Sequence, residues 1–321
     1  MSEPLVPGPQ RVTALGGGHG LYASLSALRR LPVDLTAVVT VADDGGSSGR
    51  LRSEFGVLPP GDLRMALAAL CGDDEWGETW AQVLQHRFAG TGEMNGHVTG
   101  NLLIVSLWEL LGDHVAALDW VGRLLGARGR VLPMALTPLD ISAQVSGLYA
   151  DDRERLSTVR GQVAVATSEG RIESISLLPL GLRPCPEAVK AVREADLVVL
   201  GPGSWFTSVL PHLMVPALAE ALTTTSAELV VVLNLASQEG ETQGFGPADH
   251  LAVLLDHAPD LPVGTVLVDR SEAGDLAGLE ALTEKCEARL VVADIARSDG
   301  TPRHDPEKLA SAYAELLAGL A

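Results

Sequence analysis

Four polar, Gly-rich segments, each set directly behind a nearly uninterrupted apolar run, constrain this chain more than any other feature. Arg11–Leu15 (RVTAL) precedes Gly16–Gly20, and Leu35–Val41 (LTAVVTV) precedes Ala42–Arg52. Asp196–Leu200 (DLVVL) precedes Gly201–Ser208, and Glu228–Leu233 (ELVVVL) precedes Asn234–Thr242. Apolar residues that run on rather than alternate belong to strands covered on both faces, the pattern of a parallel sheet flanked by helices. In an open parallel sheet the segments behind the strands gather outside their carboxyl ends, where ligands bind. One such segment reads as a tight turn; four converging segments read as a site.

The rest of the chain supports this frame. Strand, Gly-rich turn, helix (about 21–30) and second strand follow within about thirty residues, as in a βαβ unit. Residues 42–61 read as loop. Residues 62–128 carry Leu and Ala at helical spacing with a break at 90–96, and read as a helical insertion. After a strand at 131–136, the alternating stretches QVSGLYA, GQVAVAT and RIESISL read as a small β-rich excursion over about 141–176. The α/β rhythm then resumes, with helices at 186–194, 216–222 and 306–320 and further strands at 263–268 and 289–293. The pattern predicts one Rossmann-like, doubly wound α/β domain over 11–321 with a mostly parallel sheet, behind a flexible tail of residues 1–10.

Composition narrows the partners. The net charge of -18 repels nucleic-acid backbones and anionic lipid surfaces, so neither is expected. A nest of backbone N–H groups can still bind a small anion inside an acidic protein. Cys71, Cys185 and Cys286 lie far apart without CxxC spacing, which argues against a disulfide framework and suggests a reducing compartment. No apolar run approaches the ~20 residues that span a bilayer, and Met1–Gln10 lacks the pattern of a signal peptide. A cytoplasmic protein is expected, with no membrane insertion; a homodimer stays open.

Candidate ligand residues follow from the four segments. Gly16, Gly17, Gly18, His19 and Gly20 lead into a helix, where the backbone can approach a phosphate and free N–H groups receive it. The segment fits neither GxGxxG nor a phosphate loop with Lys-Ser/Thr, and a plain βα turn is its alternative. Asp43 ends the second strand about where a ribose-binding acid sits in NAD(P) enzymes, which keeps that reading in view. Asp43 and Asp44 are adjacent carboxylates, easier to explain if a cation such as Mg2+ or ribose hydroxyls engage them than as a solvated turn. Ser47 and Ser48 offer hydroxyls, and Arg50 and Arg52 could face phosphate. Pro59–Arg64 opens a helix in which Asp62 reads as the cap and Arg64 as a phosphate ligand or surface charge. His97 and Asn101 begin another helix. Gly201, Gly203, Ser204 and Thr207 form the third candidate group, and Asn234, Gln238 and Thr242 the fourth. Arg303 could clamp a diphosphate, or be a surface charge beside Asp305, a cap for the last helix with Pro306 in its first turn.

Read in order, GGGHG, VTVADDGGSSGRLR, PPGDLR, GHVTGN, LGPGSWFTS, NLASQEGET and the late RHD resemble the YvcK-type gluconeogenesis factors, from about 11 to about 317. That family shares a superfamily with the 2-phospho-L-lactate transferases (CofD-like) of coenzyme F420 synthesis. The resemblance implies a Rossmann-like cytosolic protein that binds UDP-sugars such as UDP-N-acetylglucosamine or UDP-glucose. It implies a regulatory role in cell shape and envelope synthesis under gluconeogenic growth, rather than catalysis. In the transferase branch, Asp residues of the second loop hold a divalent metal, which implies Mg2+ at Asp43 and Asp44. It also implies that the Arg303 region bears on the UDP-sugar. The chain departs from the usual family pattern at His19, where Thr is common, at Val98-Thr99 and at Leu235-Ala236-Ser237. A Mg2+-dependent phospholactyl transferase is the alternative reading, and an NAD(P)-binding enzyme the next.

Overall fold

The apolar runs pair as parallel strands. In a computed structural model, which describes residues 8–320, the large sheet contains β1 (Arg11–Gly16), β2 (Asp34–Val39) and β3 (Arg130–Pro133). A separate antiparallel sheet of β4 (Asp140–Ser146), β5 (Ser157–Arg160) and β6 (Arg171–Leu178) interrupts the chain. The large sheet then continues with β7 (Leu197–Leu200), β8 (Glu228–Val232), β9 (Thr265–Asp269) and β10 (Arg289–Ala293). Its order is β10-β9-β8-β7-β1-β2-β3, every pair parallel. The central strands β7 and β1 are buried almost end to end. Most of the expected tail lies outside the described residues.

The order places the site. The chain builds outward from β1 through β2 to β3, then returns to β7 on the other side of β1 and builds outward again to β10. Right-handed crossovers in opposite directions put helices on both faces and open a crevice between β1 and β7, the switch point where doubly wound sheets take ligands. The segment behind β1 leads into α1 (Gly18–Leu28), and the segment behind β7 runs through Gly201–Ser204. The two cross so closely that a Cβ on Gly20 would overlap the Pro202 carbonyl and stand 2.5 Å from Gly203 Cα.

The chain between β2 and β3 is helical, with α3 (Gly61–Ala69), α4 (Glu75–Gln85), α5 (Thr99–Leu111) and α6 (His114–Leu125). The expected insertion and its break are present. One helix precedes it where loop was expected: α2 (Gly46–Phe55) occupies most of the stretch 42–61. Its inward positions are Ser47, Ser48 and Leu51, so its buried face carries a single apolar side chain and leaves no hydrophobic periodicity to read. Within the small sheet, GQVAVAT is not a strand but α7 (Gln162–Ala166), whose first turn is held by Val163 N–H donating to the Asp44 carboxylate at 3.0 Å. The remaining helices are α8 (Pro186–Arg193), α9 (Pro216–Thr224), α10 (Pro247–His257), α11 (Ala277–Lys285) and α12 (Pro306–Ala318). The apolar pattern did not anticipate α10, α11 or the helical turns over Trp205–Met214. The three cysteines are free, and among the described residues no single helix is long and apolar enough to cross a membrane.

A substitution at the crossing tests this geometry without any ligand. Gly20→Ala forces two backbone segments apart, and overpacking of this kind costs about 1–3 kcal/mol. Urea unfolding should show a lower midpoint with an unchanged slope, whereas Gly18→Ala, with open space around its Cβ position, lacks that steric term and loses only what its left-handed φ of +55 imposes.

Candidate functional site

The loop Gly16–Gly20 borders both halves of the site. Its helix α1 starts with no capping side chain at Gly17, and the first of its N–H groups, that of Gly18, is directed at Asp62. On one side lies a carboxylate group. Asp43 accepts from Gly45 N–H at 2.9 Å, and its second oxygen faces Gly61 at the start of α3. Asp62 does not cap that helix. The helix begins one residue earlier, with Pro60 at the cap position, so Asp62 sits in the first turn and turns toward Gly17 and Gly18. Asp62 keeps part of its surface open, yet Oδ2 is closed off from solvent and has no hydrogen-bond partner. Burial first, then the neighbouring Asp43 charge, push its carboxyl up to about 7, against the pull of Gly18 N–H and Arg64. The neighbouring carboxylate that acts on Asp62 is therefore Asp43. Asp44 points the other way, accepting from Val163 N–H at the start of α7.

The second loop is held from below by a buried network. Arg64 donates Nε–H to Asn101 Oδ1 at 2.9 Å and a second N–H to Gln85. Because a guanidinium only donates, the Asn101 oxygen must face Arg64 and its amide N–H groups must face α2. They reach Ser47 Oγ at 3.1 Å and Ser48 Oγ at 3.5 Å. Val98 N–H also donates to Ser47 Oγ, at 3.2 Å. With both lone pairs engaged, the Ser47 hydroxyl proton goes to His97 Nδ1, 3.2 Å away, and fixes His97 as the neutral imidazole protonated on Nε2. Burial, then the Arg50 charge, lower the His97 pKa in the same sense. Burial, then the Arg87 charge, bring the Arg64 guanidinium down to about 10. Arg50 and Arg52 face the protein rather than the crevice: Arg50 donates to the carbonyls of Glu93 and Asn95, and Arg52 to Leu139 O and Asp140.

On the other side of the loop, the third and fourth segments are laced together. Asn234 grips Gly203 twice, accepting from its N–H at 2.9 Å and donating to its carbonyl at 2.8 Å. Ser204 Oγ donates to Gln238 Oε1 at 3.2 Å, and Thr242 Oγ1 accepts from Gln238 N–H at 2.9 Å. Thr207 N–H donates to the Glu241 carboxylate at 2.7 Å. Next to this lacing is a cleft of about 370 Å³, lined by His19, Tyr22, Pro202, Leu235, Arg297 and Arg303 among others. Arg303 thus does lie at the carboxyl edge, as expected, and Arg297 stands beside it on the same wall, its N–H donating to Arg303 O at 2.9 Å. Neither guanidinium has an ion-pair partner among the described residues. Asp305 caps α12 through the N–H groups of Glu307 and Lys308, with Pro306 in the first turn. Asp269, at the end of β9, accepts from the N–H groups of Ile295 and Ala296 and so sets the path of the chain that carries both arginines.

With this geometry in hand, comparison with known proteins is decisive. A family model described as 2-phospho-L-lactate transferase CofD matches residues 12–301. The chain belongs to the CofD family. Among its relatives, a protein of Mycobacterium tuberculosis (strain ATCC 25618 / H37Rv) named "Putative gluconeogenesis factor" is 55% identical over 303 residues, 94% of this chain and 88% of that one. The "Gluconeogenesis factor" of Listeria innocua is 36% identical over 318 residues, 96% of this chain and 95% of that one. The crystal structure of a UPF0052-family protein from Bacillus halodurans superposes with a TM-score of 0.84 at 32% identity, covering 96% of this chain and all of that one. Within the CofD family the chain thus groups with the gluconeogenesis factors, as the order of its motifs implied.

Three residues of this CofD-family site escaped the sequence reading. Asp62 reads as a cap, Glu241 lies in the fourth segment without being one of its candidate residues, and Arg297 stands in no motif. Only the spacing of Pro59-Pro60-Gly61-Asp62 hinted at the first, since a Pro at the cap position leaves the acid one step inside the helix.

The Asp62 carboxyl makes stability depend on pH. Its folded pKa of about 7 lies above the ordinary 3.8, so the native state holds a proton that the unfolded chain releases, and stability falls as pH rises from about 4 to about 7. Asp62→Asn removes this dependence. In thermal unfolding without ligand, the variant should match wild type near pH 4 and exceed it at pH 8. The difference should be at most about 4 kcal/mol, the free energy of carrying a carboxyl from its ordinary pKa to one near neutrality. Equal stability at pH 8 would show that the carboxyl ionises there without cost.

Proposed function

We propose that this protein binds a nucleotide sugar, UDP-N-acetylglucosamine or UDP-glucose, in the cytoplasm, and acts as a regulator linked to cell shape and envelope synthesis during gluconeogenic growth. One observation carries the reading: a single loop, Gly16–Gly20, lies between a mostly apolar cleft with two unpaired arginines and the neighbouring carboxyl groups of Asp43 and Asp62. A nucleotide sugar needs those three environments in that order. The base and ribose take the cleft, the diphosphate lies over uncapped N–H groups, and the sugar end comes to the carboxylates. The naming of relatives as gluconeogenesis factors supports the physiological side.

Mg2+ fits this arrangement. It is usually bound by one or two carboxylates together with ligand phosphates, rather than by an all-protein cage. No three His, Cys, Asp or Glu side chains come together among the described residues, but the Asp43 charge acts on Asp62, and Asp62 Oδ2 is buried without a partner. When bound, Mg2+ would offset part of the negative charge of the two carboxyl groups and the diphosphate. Asp43 is thus retained from the sequence reading, Asp62 is added, and Asp44 is given the task of holding α7.

The second reading is a Mg2+-dependent transferase of a phosphorus-containing group, favoured by the family model and by a carboxyl that exchanges its proton near neutral pH. An NAD(P) enzyme has less support, since the first loop lacks GxGxxG spacing.

Thermal shift against UDP-sugars with and without Mg2+ tests the first reading. At one hundred times Kd, binding to the native state alone adds about 2.7 kcal/mol. No shift at millimolar nucleotide sugar would count decisively against it; a phospholactylated deazaflavin formed from a donor and acceptor would establish the second. NAD(P) should not compete. Arg303→Lys should lose most affinity and leave the melting temperature of the free protein in place, because Lys lacks the planar fork that grips a diphosphate. Asp43→Asn and Asp62→Asn should abolish the Mg2+-dependent part of the shift, and Asp44→Asn should spare it. An unchanged Mg2+ effect in the Asp43/Asp62 double variant, read by calorimetry, removes the pair from the metal site.

A further inference from the structure

Glu241 is a carboxylate in a place made for a phosphate. The chain leaves β7 through Gly201–Ser204 and enters a ten-residue helical segment, Trp205–Met214, that opens with a wide π turn and closes as a 3-10 turn. No side chain of that segment caps its start. Its first N–H groups and the hydroxyls of Ser204 and Thr207 face one spot at the carboxyl edge, a convergence of donors suited to an anion. Glu241 reaches that spot from a different loop and is 5% exposed.

The carboxylate fits poorly. Phe206 N–H and the two hydroxyls point toward it, yet only Thr207 N–H, 2.7 Å from Oε1, makes a bond of normal geometry. Ser204 spends its hydroxyl on Gln238. Glu241 Oε2 and Thr207 Oγ1 are both buried and both without a partner. A planar group with two oxygens leaves donors idle that a tetrahedral group with three oxygens would use. Burial raises the Glu241 pKa against the pull of the donors around it, so a negative charge costs more here than in water.

The surroundings allow exchange. Glu241 belongs to the loop that laces the third segment, and the first part of that loop, Asn234–Gln238, lines the cleft with Gly203. Gly240 precedes it with φ +81, a conformation few other residues adopt, and lies so close to Ala166 O and Thr167 Cα that no Cβ fits. The loop is therefore docked on α7 at one point and on the helical segment at another, and only the second contact involves charge.

We propose that Glu241 is an internal stand-in for a phosphoryl group: it fills the cradle at Ser204–Thr207 in the free protein, and a ligand phosphate takes its place and releases the loop Gln238–Gly246. The inference rests on the nucleotide reading above for the source of the phosphate. It makes the fourth segment a reporter of occupancy, since the same loop that floors the cleft is let go when the cradle is filled from outside.

Inorganic pyrophosphate is the probe, applied to the full chain. If the cradle is open one tenth of the time, its own carboxylate weakens apparent affinity about tenfold. Glu241→Gln keeps an acceptor for Thr207 N–H and removes the charge, and should bind pyrophosphate about tenfold more tightly than wild type. In wild type, saturating pyrophosphate should speed hydrogen exchange of the Gln238–Gly246 amides. Equal or weaker binding by the variant overturns the proposal, as does exchange that slows or stays constant in wild type, and the latter measurement decides alone if the variant does not fold. A parallel titration with UDP-N-acetylglucosamine separates the two readings. Nucleotide-sugar binding without a pyrophosphate gain in the variant removes the stand-in and keeps the proposed function. A pyrophosphate gain without nucleotide-sugar binding does the reverse.

Discussion

Everything at the carboxyl edge depends on how closely two pieces of backbone can pass. The first and third segments cross between β1 and β7, with Gly20 against Pro202 and Gly203. Interiors pack at crystal-like density, so a crossing this tight fixes the relative height of both loops and of the strands that feed them. Because β1 and β7 are the central strands of seven, the outer strands inherit that register. The crevice is thus shaped by the middle of the sheet, and the helices and loops around it are placed afterwards.

The helical insertion completes one wall by an unusual route. It supplies few apolar contacts to α2. Instead Arg64, Gln85, His97 and Asn101, all carried by the insertion, tie down the two serines of α2 through hydrogen bonds of defined polarity. Buried polar groups are costly unless paired, and here the pairing is directional enough to leave one arrangement of protons. The other wall is made by side chains of the fourth segment that grip the third. In both cases, residues of the type expected to meet a ligand are used to hold the loops that meet it.

This explains what could and could not be read from the sequence. The strands, the insertion and the excursion were legible because burial on two faces, helical spacing and alternation each leave a distinct apolar pattern. Helix α2 was not, since its inward face is Ser47 and Ser48 and its glycines suggest loop. The Val163–Val165 alternation misled for the opposite reason: it is a weak local preference, and the chain takes a helical turn held at Asp44. Among the site residues, the four segments and Arg303 were found because they stand next to strands or in motifs. Asp62 reads as a cap in the sequence because the cap position and the second helical position, where it sits, lie only two residues apart. Arg297 reaches the site by long-range packing, which one sequence does not display, and Glu241, although inside the fourth segment, is marked only by its contact with Thr207 N–H.

The hydroxyl of Ser47 sets how this wall responds to acid. Protonating His97 on Nδ1 would leave that hydroxyl without an acceptor and turn a donor against it, while both of its lone pairs are already taken by Val98 and Asn101. The ring can gain a charge only if several bonds rearrange at once. A histidine of the wall, ordinarily a sensor of mild acid, is here wired as an insulator, and the serines it helps to hold keep their bonds as the surroundings turn mildly acidic.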